Sequence, residues 1–437
     1  MKLLFYLKLN FKILRLSKFN NDFTRSVTTL VSGTFLSQLV VFALSPIISR
    51  LYSPEETANF SIYTRIIIFV STLATARFES ALALPKRNEH AFSLYRLIVQ
   101  LILISFIISL FLSILYVTFG LNNKNESFLY LMIPIGFVPL CMMNIGNSWA
   151  MRLGQFKEVS RFRIFNSLSM NFSNVLFGTI GLGYKGLILG YIIGVTLPGA
   201  WFTRKYHLLK LKYKDFSIKK RKNIIGKTYI DFPKVNLPHA LMDITRELLI
   251  VFFILLFYTK NELGSYDFSF KMLKLPLTVI GGAIGQVYFQ KIASKKNQGE
   301  SIYEITIQTM RNLFFISIVP FSVLYFFGET LFSFVFGKEW ALAGRYSEIM
   351  APWLMMNLVV SPVSQLPVVL GKLKEFFFVG LIGSVLLIGF LTSPYFVVSI
   401  SFETILKYIN WTQFLFLIIV MIWFFKLSKS NSFELKK

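Results

Sequence analysis

Long apolar runs separated by short polar segments dominate the chain. A helix needs about 20 mostly apolar residues to cross a bilayer. Twelve stretches have that character, near 27–50, 58–84, 94–118, 127–150, 159–182, 185–203, 239–258, 264–290, 312–328, 345–371, 375–393 and 403–425. Ahead of them, residues 1–26 interleave Lys2, Lys8, Lys12, Arg15 and Lys18 with Leu, Phe and Ile. No small-residue cleavage site follows a clean apolar core, as a signal peptide requires. The pattern predicts a basic amphipathic segment lying on the cytoplasmic face.

The longest polar interruption, 204–238, falls midway and contains Lys219-Lys220-Arg221-Lys222. It divides the chain into a six-span lobe over 27–203, a basic linker and a second six-span lobe over 239–425, with a tail over 426–437. The halves echo each other. Tyr52, Glu56, Ala58 and Phe60 after span 1 correspond to Tyr258, Glu262, Gly264 and Tyr266 after span 7, at an offset of 206. Leu153-Gly-Gln-Phe-Lys157-Glu158 corresponds to Leu370-Gly-Lys-Leu-Lys374-Glu375 at an offset of 217. A duplicated unit with an even number of spans gives parallel lobes related by an axis along the membrane normal. The expected fold is thus an all-α polytopic membrane protein, about twelve transmembrane helices in two six-helix lobes around a central cavity.

Composition agrees. Of 437 residues, 54% are hydrophobic and only 15% charged, which excludes most soluble and disordered classes. The net charge of +25 follows the loops. With the N-terminus inside, 34 of the 46 Lys and Arg residues fall on inner segments. Seven fall outside: Arg50, Lys124, Lys185, Lys260, Lys338, Arg345 and Lys407. This asymmetry places both termini and the linker in the cytoplasm. It reads as a topology signal on an anionic leaflet, with no nucleic-acid partner. A lone cysteine, Cys141, and three scattered histidines offer neither a disulfide framework nor a metal motif, and no cofactor is expected.

Ionisable groups inside spans cost several kcal/mol unless they face a cavity or a partner, and so mark function. Span 2 carries Arg65, Arg77 and Glu79; span 7 carries Asp243, Arg246 and Glu247; span 8 carries Lys271 and Lys274. Five bases against three acids give a basic lumen suited to an anionic substrate. Arg65 and Lys271 occupy equivalent places, 206 apart, and Lys271 and Lys274 share one helix face. Asp243 with Arg246 also fits a plain ion pair, and Arg77, Glu79 and Lys274 also fit snorkelling to the headgroups. Asp243, Glu247 and Glu79 are candidates for proton exchange, because a desolvated carboxylate holds its proton more tightly. The match Gly181-Leu-Gly183-Tyr-Lys-Gly186 to a dinucleotide fingerprint lies in a short turn between apolar spans and is discarded. Gly186, Gly190 and Gly194, like Gly281 and Gly285, predict close helix packing.

Several segments resemble the bacterial polysaccharide flippases of the superfamily that includes the multidrug and toxin extrusion transporters. They are Gly33–Gln38 and Pro46–Tyr52 in span 1, and Ala76–Lys86 at the end of span 2. Further on come Leu237–Leu241, Gly264–Ser269, Lys271–Pro276 and Gly282–Phe289, then Ala351–Trp353 and Ser361–Gln365. The resemblance implies a flippase that carries an isoprenoid (undecaprenyl) diphosphate-linked oligosaccharide from the inner to the outer leaflet of a bacterial inner membrane. It implies that Arg65, Arg77, Arg246, Lys271 and Lys274 escort the diphosphate while Gln38 bonds sugar hydroxyls. It leaves a proton or sodium ion as the coupling ion and a polysaccharide polymerase as a downstream partner. The family often has arginine where Lys271 stands, and lysine lacks the bidentate fork. The rival readings are a peptidoglycan-precursor flippase, a drug–cation antiporter of the same fold, and a membrane polysaccharide polymerase. The short outer loops leave no room for the catalytic loop a polymerase needs.

Overall fold

The computed structural model describes residues 21–120, 126–212, 226–396 and 400–434. The segment 1–20, Lys124, the Lys219–Lys222 run and the last three residues lie outside the described residues. Twelve long helices are present among those described. In the first half they are α1 (Asn21–Leu51), α2 (Pro54–Thr75), α3 (Asn88–Leu115), α4 (Ser127–Arg152), α5 (Phe156–Thr179) and α6 (Tyr184–Lys212). In the second they are α7 (Leu237–Phe257), α8 (Lys260–Asn297, interrupted at Leu277–Gly281), α9 (Tyr303–Phe336), α10 (Ala341–Val360), α11 (Leu373–Leu391) and α12 (Phe402–Glu434). Ten have the length and apolarity to cross a membrane. The two that do not are informative. α5 is rich in Ser and Asn, and α7 carries Asp243, Arg246 and Glu247. α5 buries Ser160, Ser167, Asn171 and Asn174 against protein, and α7 turns Glu247 toward Arg65 of α2. Two buried apolar clusters follow the halves, one built mainly from α2, α3, α4 and α6, the other from α7 to α12.

The internal repeat is visible in local geometry. α2 begins with a capping box in which Ser53 and Glu56 bond each other's backbone N–H. α8 begins with the same box from Thr259 and Glu262. Just before each box, Tyr52 donates to the Asn174 carbonyl and Tyr258 to the Ile400 carbonyl. Burial, and then the neighbouring Glu56 or Glu262, pushes both phenols up to about 12, so they stay neutral donors. The second pair of matching segments forms twin turns after α4 and α10. Gly154 and Gly371 are left-handed at φ +66° and +75°. In each turn the next N–H closes onto a carbonyl five residues back, Gln155 to Ala150 and Lys372 to Pro367.

Three interruptions differ from the expected continuous spans. Span 2 stops at Thr75, because Ala76 and Arg77 both adopt positive φ before the short helix Phe78–Ala81. Span 8 widens into a π-turn directly after Pro276, whose ring removes an N–H and crowds the preceding turn. Span 10 breaks up after Val360 around Pro362 and Pro367. Helix packing follows the glycine stripes. A Cβ on Gly190 would sit 1.9 Å from Asn174 Oδ1, and one on Gly194 would sit 2.7 Å from Met170 Cβ, so α6 lies directly on α5.

Cross-lobe contacts gather at the end bearing the α1–α2 and α7–α8 turns. Trp340 Nε1 donates to the Ser49 carbonyl at 2.7 Å, and Ser49 Oγ donates to the Phe336 carbonyl at 2.9 Å. Lys260 Nζ meets Glu126 Oε1 at 2.5 Å. The starts of α2 and α8 touch so closely that a Cβ on Gly264 would lie 1.8 Å from the Pro54 carbonyl oxygen. Toward the opposite end, Arg77 reaches across to Asn236 at 3.0 Å.

Candidate functional site

The middle of the bundle holds a chain of charges drawn from three helices. Arg65, three turns into α2, grips Asp267 of α8 with both arms of its guanidinium, Nη2 to Oδ1 at 2.6 Å and Nη1 to Oδ2 at 2.8 Å. Ser61, one turn before Arg65, contacts both members of the pair. Glu247 of α7 stands 3.6 Å from the same guanidinium. Its other oxygen faces Arg246 at 3.9 Å, and Arg246 in turn faces Asp243 at 3.9 Å and donates to Ser384 of α11 at 3.2 Å. Arg65 and Asp267 are 17% and 9% exposed, while Asp243 is 69% exposed. The network is therefore tight at its α2–α8 end and loose at its α7 end.

Asp267 is the residue that sequence reasoning missed as a charge, although it falls inside span 8. It brings the intramembrane set to five bases and four acids, so the basic excess is narrower than expected. Ser61 and Asp267 are 206 apart, like the other repeat pairs, and meet each other across the pseudo-axis. Arg65 and Lys271 are thus not two equivalent free cations. Asp267 fills the fork of Arg65, whereas Lys271 and Lys274 have no carboxylate within ion-pair distance among the described residues. Lys271 is exposed and lies on the same face of α8 as Lys274, three residues before it. Lys274 is likewise open, with its ammonium 5.2 Å above the Phe270 ring.

The remaining candidates lie apart. Arg77 sits at the break after α2, where its Nε donates to Asn236 Oδ1 and its Nη1 is 3.4 Å from Glu79 Oε1. Glu79 is buried, and its second oxygen has no partner among the described residues. Two consecutive left-handed non-glycine residues cost about 1–2 kcal/mol each, so these contacts hold Arg77 in place against strain. Gln38 does not join the charges. It lines an apolar groove of about 530 Å³ bounded by α1, α8 and α9, with Phe35, Leu39, Pro276 and Phe332. On the other side of α8, Lys274 opens onto a partly polar cavity of about 550 Å³ that reaches the segment after α10.

A family model described as polysaccharide biosynthesis protein matches residues 47–344. The chain belongs to that family. None of the curated proteins matches it in sequence. Among solved structures, an inward-facing multidrug resistance MATE family transporter of the MOP superfamily aligns at TM-score 0.68 and 13% identity, covering 93% of this chain and 94% of that one. The lipid II flippase MurJ in an inward closed conformation aligns at TM-score 0.68 and 16% identity, over 93% and 91%. An outward-facing MATE family transporter aligns less well, at TM-score 0.54 and 13% identity, over 94% and 96%. This polysaccharide biosynthesis protein therefore has the two-lobed fold of the exporters and flippases.

Proposed function

We propose that the protein is a flippase that moves an isoprenoid diphosphate-linked oligosaccharide, with undecaprenyl as the carrier, from the cytoplasmic to the outer leaflet of a bacterial inner membrane for surface polysaccharide assembly. The observation that carries this reading is the pair of unpaired lysines, Lys271 and Lys274, on one face of α8 inside a polysaccharide biosynthesis protein. A diphosphate must shed water to cross the membrane, and desolvated cations in a low-dielectric cavity replace that hydration. Lysine is a compact point charge that grips and releases phosphate without demanding one orientation. Arg65, held by Asp267, becomes available only when the α2–α8 junction rearranges, so it serves the state open on the other side. The apolar groove beside Gln38 suits the isoprenoid chain. Both termini and the 204–238 linker are cytoplasmic in this reading, and a polysaccharide polymerase consumes the flipped product.

Direction requires an energy source or downstream consumption. Glu79, buried with one oxygen unpartnered among the described residues, and Glu247, shared between two arginines, are the groups through which a proton would couple, with Asp243 next along α7. Sodium is the alternative ion.

The test is transport of a fluorescent undecaprenyl diphosphate glycan in proteoliposomes, paired with surface polysaccharide in cells. Lys271→Ala and Lys274→Ala should each abolish both while membrane protein level stays near normal; normal polysaccharide in both variants sinks the reading. Transport of lipid II or of cationic drugs by the same vesicles would favour the other members of the fold. Imposed proton and sodium gradients, with Glu79→Gln and Glu247→Gln, identify the coupling ion. Labelling of intact cells should reach Glu56→Cys and miss Lys220→Cys.

A further inference from the structure

α8 is a partition with two unlike faces. Met272, Leu275, Pro276, Val279 and Ile280 line the apolar groove shared with α1 and α9. The opposite stripe, Lys274, Thr278, Gly282 and Gln286, faces the second cavity, whose far wall is Asn357 in the last turn of α10 with Ser361, Ser364 and Gln365 beyond it. Amides and an ammonium would cost several kcal/mol against lipid, so this stripe faces a wet interior. The π-turn after Pro276 and the breaks at Pro362 and Pro367 shape this cavity, and Phe289 closes it with an accessible ring. Lys274 sits at its edge. A diphosphate on Lys271 and Lys274 would thus enter the cavity with its first substituent.

We propose that this cavity is a glycan subsite that recognises the sugar attached directly to the diphosphate, and that it sets which lipid-linked saccharide the protein accepts. The chemistry is specific. Three primary amides (Gln286, Asn357 and Gln365) each offer a donor and an acceptor side by side, the complement of vicinal hydroxyls or an acetamido group on a pyranose. Two serines and Thr278 add further two-way partners, and the Phe289 ring offers a flat surface for the sugar's C–H face. A cavity of about 550 Å³ lies within the range of about 300–1,000 Å³ for small-ligand sites. The inference rests on the flippase reading and deepens it, because it separates sugar recognition from diphosphate binding.

Gly282 supplies the clean perturbation. A Cβ there meets nothing within 4 Å, so a side chain starts without a clash and a large one projects into the cavity that Gly282 lines. The experiment measures binding of three short-chain polyprenyl diphosphates to purified protein in nanodiscs: bare, with one hexose, and with one acetamidohexose. Wild-type protein should bind at least one glycosylated lipid tenfold tighter than the bare lipid. Gly282→Phe and the double variant Gln286→Leu/Gln365→Leu should each lose that gain while binding the bare lipid within twofold of wild type. Equal wild-type affinity for all three lipids overturns the subsite and leaves the flippase reading standing. A sugar-dependent gain that survives in both variants also overturns it. Failure of wild-type protein to bind any of the three lipids removes the flippase reading and the subsite together.

Discussion

α2 and α8 start alike and end differently. Both begin at a capping box 206 residues apart, both follow a buried or half-buried tyrosine, and both meet at the pseudo-axis through a small residue, Ala58 or Gly264. From the third turn they diverge. α2 carries Arg65 neutralised by Asp267, then stops at two left-handed residues. α8 carries Asp267 itself, then two unpaired lysines, then a π-turn and sixteen more helical residues from Gly282 to Asn297. Duplication thus retained the capping and contact geometry that joins the lobes. The two copies now differ in what they carry: α2 holds a closed ion pair, and α8 holds exposed lysines beside a cavity. Charge at equivalent positions does not mean equivalent roles: burial and partner decide.

The largest effect should come from breaking the pair that separates the two helices. Asp267→Ala leaves the Arg65 guanidinium mostly buried, with Glu247 3.6 Å away as its remaining carboxylate. Removing one partner of a buried pair costs about 3–5 kcal/mol. The melting temperature in detergent should drop sharply, and transport with it. Lys271→Ala removes a cation with no ion-paired carboxylate among the described residues, so transport should fall while the melting temperature holds. Equal destabilisation by the two variants would erase the distinction drawn between Arg65 and Lys271.

Next in size is the contact at the pseudo-axis. Gly264→Ala puts a carbon 1.8 Å from the Pro54 carbonyl oxygen, a backbone atom that cannot swing aside. Overpacking of this kind costs about 1–3 kcal/mol and here would push the lobes apart at their closed end. The equivalent change in the other copy, Ala58→Gly, opens space instead and should cost about 1 kcal/mol through lost helix propensity. Accessibility of a cysteine at position 56 in membranes should rise in the first variant only. A silent Gly264→Ala would mean that the two helix starts are not held in contact.

Much of this was legible in the chain. Apolar runs predicted all twelve helices, because a span leaves a 20-residue signature in composition alone. The repeat was legible because Tyr52/Tyr258, Glu56/Glu262 and Gly154/Gly371 do fixed jobs in caps and turns, and such jobs tolerate few residues. The pairing of Arg65 was not legible. Asp267 is 202 residues away, and only tertiary packing of α2 against α8 brings it within 2.6 Å. Its one signal was its place, 206 after Ser61. The division of α8 into polar and apolar faces was half legible: Lys271 and Lys274 marked one face, but Gly282 and Gln286 gain meaning only beside Asn357 and Gln365. Gln38 stands apart from the charges, because the fold turns it toward the groove between α1, α8 and α9.

The smallest expected effects concern the twin capping boxes, where the two copies share their backbone bonds and differ in exposure. Replacing an N-cap Ser or Thr by Ala costs about 0.5–2 kcal/mol, because an N–H at the helix start loses its acceptor. At Thr259 the start of α8 is exposed, so water can take over the Glu262 N–H, and Thr259→Ala should fall near the bottom of that range. At Ser53 the start of α2 is half-buried beside the fully packed Pro54, so the Glu56 N–H is harder to rehydrate. Ser53→Ala should therefore fall near the top. Unfolding of both variants in mixed micelles measures the difference directly. A larger loss at Thr259 than at Ser53 would reverse the comparison. It would mean that the cap on α8, not the one on α2, holds the closed end together.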